Sequence, residues 1–254
     1  MVLIKPNIFD SFFYRRDRTW NICPLHNTDE IALPATDGCK IVCLFVHSNT
    51  REKKGSIFLL HGRVGNASRY SYYVKPLVKE GFDIFIADWR GYGKSEGRAN
   101  HLNVAEDSKL ALMHFLSMKE TRNSRKILWG LSIGGQVAIH LAKEFRGYFD
   151  ALVTEGSISS FKQAARDYYH KALQVFVKEP YSAAHDIKEI VDLPKLIIHS
   201  TEDNEISFQN AETLFRNAKE PKSLLKIKGN HLYGLNRKNA AAYIKEFKRV
   251  AWAS

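Results

Sequence analysis

The chain has 254 residues, 44% of them hydrophobic and 26% charged, with a formal net charge of +11. That balance excludes a disordered or collagen-like polymer, and the length suits one α/β domain, 1–254, with a core of its own. A basic surface attracts anions, but the basic residues are scattered in groups such as "RRDR" (15–18), "RNSRK" (122–126) and "KEFKR" (245–249). With no RNA-binding aromatic signature and no zinc-finger spacing, no nucleic-acid partner is expected.

The first residues, "MVLIKPNIFDSFFYRRDRTW", lack an unbroken apolar stretch followed by a small-residue cleavage site, and nowhere do about eighteen apolar residues run together. Cys23, Cys39 and Cys43 are odd in number, and two of them fall in a strand pattern. They read as free thiols in a reducing compartment, so a cytoplasmic location is expected. "FDSFFYRR" (9–16) has two readings: aromatics packed onto the body, or an apolar patch with a basic flank that makes a peripheral membrane contact. The sequon Asn66-Ala67-Ser68 reads as chance.

In chain order, a strand near 29–35 and the turn "TDG" (36–38) lead into "CKIVCLFVHS" (39–48), an apolar, β-branched run. "GSIFLLHG" (55–62), "FDIFIADWRG" (82–91), "KILWG" (126–130), "ALVTEG" (151–156) and "KLIIHS" (195–200) are short apolar runs ending in polar or glycine residues, the pattern of buried parallel strands. "SLLKIKG" (223–229) predicts a final strand. Between them, 68–81 and 103–119 carry helical spacing, with Leu110, Met113, Phe115 and Leu116 on one side of the second. Ala138, Leu141, Ala142 and Phe145 form one helical face after Gly134, and helices follow at 212–218 and 240–252. The alternation predicts a mostly parallel sheet with helices on both faces. Residues 157–193, rich in aromatics, read as a lid insertion over the strand ends, and Tyr168, Tyr169, Phe176 and Val177 there have two readings, lining of an acyl pocket or, more commonly for aromatics at helical spacing, plain packing.

Ligands of an open parallel sheet bind beyond the carboxyl ends of its strands. There the chain reads Gly130-Leu131-Ser132-Ile133-Gly134, the G-x-S-x-G of a nucleophile elbow. A sharp strand-to-helix turn lifts the serine, and small neighbours leave room for it. The helix that follows favours developing negative charge, and the backbone N–H of Ile133 is the expected first oxyanion donor. The loop "LLHGRVGN" (59–66) supplies the second, through the N–H of Arg63, with His61 and Gly62 shaping the loop. Serine needs a base, and the base an orienting acid. Of ten histidines, His231 stands just past the last strand, behind Gly229 and Asn230 in a turn; His47, His114, His140, His170 and His185 read as structural or surface positions. Asp203 stands past the strand before it and is favoured as the acid, with Glu155 as rival and Glu202 and Glu205 as solvated loop charges.

"HGRVGN", "DWRGYGKSEG" (88–97), "GLSIGG", "HSTEDNEIS" and "GNH" together resemble the α/β-hydrolase superfamily from about residue 29 onward, within it the small-lid lysophospholipase, acylglycerol-lipase and serine-aminopeptidase-like group. The resemblance maps Ser132, Asp203 and His231 onto the triad and Arg63 and Ile133 onto the oxyanion hole, and gives Asp88 and Gly91 a structural turn. Arg63 stands where that group often has Asn or Gly, and His199-Ser200 where it often has His-Gly. The reading that follows is a serine hydrolase acting on a small acyl ester or thioester, with no cofactor and no metal. An amidase or aminopeptidase on the same triad and a non-catalytic ligand-binding protein are the alternatives. An aspartate-nucleophile haloalkane or epoxide hydrolase is disfavoured by Ser132.

Overall fold

The computed structural model describes residue 10 and residues 12–25, 27–169 and 171–253; Phe9, Ser11 and His170 of the motifs above lie outside the described residues. Eight strands form one sheet: β1 (Asn27–Pro34), β2 (Lys40–His47), β3 (Gly55–Leu60), β4 (Phe82–Ala87), β5 (Lys126–Leu131), β6 (Ala151–Glu155), β7 (Lys195–Ser200) and β8 (Lys222–Ile227). Their spatial order is β1-β2-β4-β3-β5-β6-β7-β8. β2 runs antiparallel to both its neighbours, and every pair from β4 to β8 is parallel. The helices are α1 (Ala67–Tyr73), α2 (Lys75–Lys79), α3 (His101–Ser117), α4 (Lys119–Arg122), α5 (Ile133–Glu144), α6 (Phe161–Tyr168), α7 (Ala183–Asp186), α8 (Gln209–Asn217) and α9 (Ala240–Ala251).

The central strands are apolar on both sides because both sides are covered. Along β3, Phe58 and Leu60 enter one core with Phe115, Val137 and Ala138, while Ile57 and Leu59 enter the other with Val74, Leu77 and Phe247. This is the two-residue period of a strand with a helix layer on each face. Each such side chain, fully buried, stabilises the fold by about 1.5–3 kcal/mol.

Two helical expectations are revised. Residues 68–81 form two helices, α1 and α2, because Pro76 stands in the first turn of α2 and has no N–H to continue the ladder of α1. In α3 the buried stripe is Val104, Ser108, Ala111, Leu112 and Phe115, and Met113 is turned to solvent. The turn before β2 is as expected, with Gly38 at φ +84° and its N–H on the carbonyl of Ala35.

The aromatic N-terminal segment docks onto the body. Phe13 and Tyr14 are buried; Phe13 meets His101 and Phe161 edge-on, and Tyr14 Oη lies 3.0 Å from His101 Nδ1. Phe12 is half exposed, with its ring edge-on to Tyr169. Asn66 is fully buried; it caps α1 and donates its carboxamide to the carbonyls of Asp17 and Thr19, so the sequon is occupied by the fold. Cys23, Cys39 and Cys43 are free thiols, the first and last buried.

Between β6 and β7, the insertion is a set of short helical pieces: α6, a 3-10 stretch at Lys171–Phe176, α7, and a 3-10 turn at Ile187–Glu189. Among the described residues no helix is long and apolar enough to cross a membrane.

Candidate active site

Ser132 sits between β5 and α5 with φ +54° and ψ −121°, a conformation L residues rarely hold. The sequence permits it through close packing of glycines. A side chain on Gly130 would collide with the backbone of Gly134 and Gly135, and one on Gly134 with the carbonyls of Leu60 and His61. Ser132 N donates to the carbonyl of Glu155 at 2.9 Å, which ties the elbow to the end of β6. Ile133 opens α5, so its N–H has no intrahelical carbonyl and is free for an anion.

The neighbouring loop after β3 is braced as a unit. His61 is fully buried; its Nδ1 donates to the carbonyl of Gly62 at 2.7 Å, fixing the peptide whose N–H belongs to Arg63. His61 Nε2 lies 3.2 Å from Asp88 Oδ1, and that carboxylate accepts Ala67 N at the start of α1. The carbonyl of Arg63 is held by Tyr92 Oη and Arg15 N. The Arg63 guanidinium lies 4.3 Å over the ring of Tyr168 and donates to the carbonyl of Phe12 and to Tyr169 Oη.

His231 Nδ1 is 2.7 Å from Asp203 Oδ2. Asp203 Oδ1 accepts the N–H groups of Glu205 and Ile206, both at 2.9 Å, and the second oxygen faces the His231 imidazole, with His199 Nε2 3.4 Å away on its other side. Burial would raise the Asp203 carboxyl, but hydrogen bonds from His199, His231 and Ile206 N and the charge of His231 outweigh it and hold it well below the usual range. The carboxylate is therefore ionised, and a carboxylate only accepts, so the His231 proton sits on Nδ1 and the lone pair on Nε2. Ser132 Oγ is buried without a hydrogen bond of ordinary geometry, as is Tyr168 Oη, which is turned toward it from the lid. Burial pushes the Tyr168 phenol up to about 12, against Ser132 and Arg63, so it is a hydroxyl at neutral pH.

Glu155 is drawn to different work from that of the rival acid. Its carboxylate accepts Tyr73 Oη, Tyr243 Oη and Gly234 N and makes no hydrogen bond to His231. Glu202 accepts Gly229 N. His140 bonds Asp186 across α5 and α7, away from Ser132.

Ser132 and His231 line one cavity of about 490 Å³ together with Gly62, Arg63 and Leu232. Its remaining wall comes from Arg69, Tyr70, Tyr72 and Tyr73 of α1, Val64 and Glu205. Of the lid residues, Tyr168 turns its hydroxyl toward Ser132 and carries the Arg63 guanidinium on its ring, whereas Val177 is buried in the core and Phe176 faces solvent. The tyrosines of "RYSYY" (69–73) were missed. Their signal in the sequence was their place, directly after the loop that carries Arg63.

The family model for serine aminopeptidase, S33, matches residues 51–183. The chain is similar to the protein YfhR of Escherichia coli K12, 26% identical over 247 residues, covering 95% of this chain and 87% of that protein. It is also similar to the human alpha/beta hydrolase domain-containing protein 17B, 26% identical over 192 residues, 76% of this chain and 65% of that one. Among solved structures, the Pyrococcus furiosus esterase Pf2001 superposes with a TM-score of 0.74 at 18% identity, covering 94% of this chain and 98% of that one. An acylaminoacyl peptidase of Pyrococcus horikoshii gives 0.70 at 17% identity over 89% of this chain and 42% of its own. Both share the fold.

Proposed function

The chain belongs to the serine aminopeptidase, S33, family of the α/β-hydrolase superfamily, a family of serine hydrolases, and from that premise we propose that it cleaves a carboxylic ester or thioester at Ser132. The observation that carries this reading is the 2.7 Å pair of His231 Nδ1 and Asp203, beside a serine held at φ +54° in the same cavity. Ser132 Oγ attacks the acyl carbon as His231 Nε2 takes its proton; the N–H groups of Ile133 and Arg63 receive the oxyanion. Collapse expels the leaving group, which takes the proton from His231. Water, deprotonated by the same nitrogen, then attacks the acyl-enzyme and frees the acid. Every step uses groups of the chain, and the mechanism calls on no cofactor or metal.

The family match favours one second reading, hydrolysis of an aminoacyl amide on the same groups. A panel of p-nitrophenyl esters from acetyl to palmitoyl, an acyl thioester and an aminoacyl amide separates the two. Ester or thioester kcat/KM well above that of the amide is expected, and the reverse order would move the assignment to an aminopeptidase. The free thiols, two of them buried, support a reducing, cytoplasmic setting. The exposed Phe12, Val175 and Phe176, with Arg15, Arg16 and Arg18 nearby in sequence, support a peripheral contact with an anionic membrane. Co-sedimentation with anionic but not neutral vesicles is the expected result, and equal recovery with both would remove that contact.

A further inference from the structure

Glu155 is fully buried at the end of β6, and the strand end it occupies touches both halves of the proposed machinery. Its carbonyl accepts Ser132 N at 2.9 Å. The next residue, Gly156, abuts the imidazole so closely that a Cβ there would stand 2.9 Å from His231 Cε1 and 3.1 Å from Nδ1. The side chain reaches the loop that follows His231. Oε1 accepts Gly234 N at 2.9 Å and Tyr73 Oη at 2.7 Å, and Oε2 accepts Tyr243 Oη at 2.9 Å and Tyr73 Oη at 2.8 Å. One carboxylate thus joins α1, α9 and the loop that carries His231.

That loop needs a hold. Between His231 and Gly234, Leu232 is kept at φ +54°, a left-handed conformation that a branched side chain adopts only where its surroundings impose it. Gly234 N, two residues on, is fastened to Glu155. Burial raises the Glu155 carboxyl from its ordinary range, and hydrogen bonds from Tyr73, Gly234 N and Tyr243 and the charge of His231 work against that rise; Gly234 N can only donate to it, and both tyrosine hydroxyls stand where they can donate too. The groups that face it are Tyr70 and Tyr73 from α1, Tyr243 from α9 and His231 from the loop.

We propose that Glu155 is a positioning residue for His231: it pins the histidine loop against the end of β6 and supplies a second negative charge to the imidazolium that forms during acyl transfer, while Asp203 fixes the tautomer. This rests on the reading of Ser132 and His231 as nucleophile and base. A carboxylate in a low-dielectric interior favours the protonated ring more than any solvated charge at the same place.

Glu155→Gln tests it. The glutamine keeps a carbonyl oxygen for Gly234 N and offers its amide hydrogens to the tyrosine hydroxyls, so the hydrogen bonds survive and the charge does not. With p-nitrophenyl acetate, and with active sites counted by fluorophosphonate titration, kcat is expected to fall about tenfold to a hundredfold at unchanged KM. The acid limb of kcat/KM moves to lower pH, because losing a nearby anion disfavours the imidazolium. Glu155→Asp restores the limb in part. A wild-type limb and wild-type turnover per titrated site would overturn the proposal, as would a fully active Asp203→Asn beside a dead Glu155→Gln, which makes Glu155 the triad acid. Should Glu155→Gln not fold, Tyr73→Phe/Tyr243→Phe removes its hydroxyl donors and keeps the charge; lower kcat per site is expected, and unchanged kcat overturns the positioning role. Ser132→Ala, run alongside, separates the two readings: turnover in it defeats the nucleophile assignment, whereas its loss with a wild-type-like Glu155→Gln defeats only this inference.

Discussion

Replacing Asp203 by Asn changes one atom and should remove nearly all turnover. Asp203 Oδ1 is held by two backbone donors, Glu205 N and Ile206 N, at 2.9 Å each. An asparagine must place its carbonyl oxygen there, since an amide nitrogen would set donor against donor. Its NH₂ then occupies the position 2.7 Å from His231 Nδ1. That nitrogen must accept, so the ring proton moves to Nε2, the atom that has to receive the proton of Ser132. The base is present, oriented and unable to act. A wrong tautomer in such a triad costs about 10⁴-fold in kcat, or about 5 kcal/mol of transition-state stabilisation. The assay is kcat on p-nitrophenyl acetate at pH 7.5, with denaturant unfolding to show that the variant is folded. Turnover within tenfold of the wild type would refute the tautomer argument and the assignment of Asp203.

Gly134→Ala pushes a methyl into the carbonyls of Leu60 and His61; it should lower the urea midpoint by an amount equivalent to about 1–3 kcal/mol and abolish fluorophosphonate labelling, and a labelled, fully stable variant would contradict the elbow packing. Arg63→Ala keeps the backbone N–H and should leave kcat on acetyl esters within about tenfold, whereas Arg63→Pro, which lacks that N–H, should lose about 10²–10³; equal losses in both would place the contribution in the side chain. Burial pushes His101 down from 6.5 to about 3. Because the folded value is depressed, this histidine leaves stability unchanged above pH 6.5, where it is neutral in both states, and lowers it from 6.5 toward 3, where only the unfolded chain takes the proton. Its share at pH 5 is about 2 kcal/mol, and His101→Gln should flatten the stability–pH slope between 6.5 and 5 by about one proton. An unchanged slope would mean that the ring titrates in the folded protein.

How much of this was legible in the sequence depended on how local each signal was. The elbow at Ser132 could be read because its glycines, its strand and its helix are contiguous. Asp203 and His231 could be read because a parallel sheet delivers successive strand ends to one edge, so chain order stands in for position. The apolar spacing of 68–81 is continuous through Pro76, so spacing alone does not show that the helix breaks there, although a missing N–H breaks it. Helical spacing groups Met113 with Leu110, Phe115 and Leu116, whereas the layer under α3 meets a stripe centred on Val104, Ala111 and Phe115. The cavity wall of Tyr70, Tyr72 and Tyr73 and the carboxylate site of Glu155 depend on how α1, α9 and the histidine loop lean on one another. Such contacts between distant segments leave no periodicity. Glu155 shows in the sequence as a loaded residue at a strand end, and only the packed tyrosines distinguish its surroundings from those of Asp203.

The central claim is that Ser132 is the nucleophile, and intact-protein mass spectrometry after incubation with a fluorophosphonate tests it most directly. The wild-type chain should gain one adduct, mapped by peptide sequencing to Ser132, and Ser132→Ala should gain none and lose ester turnover. A single adduct on another residue, or turnover that survives in Ser132→Ala, would contradict the account.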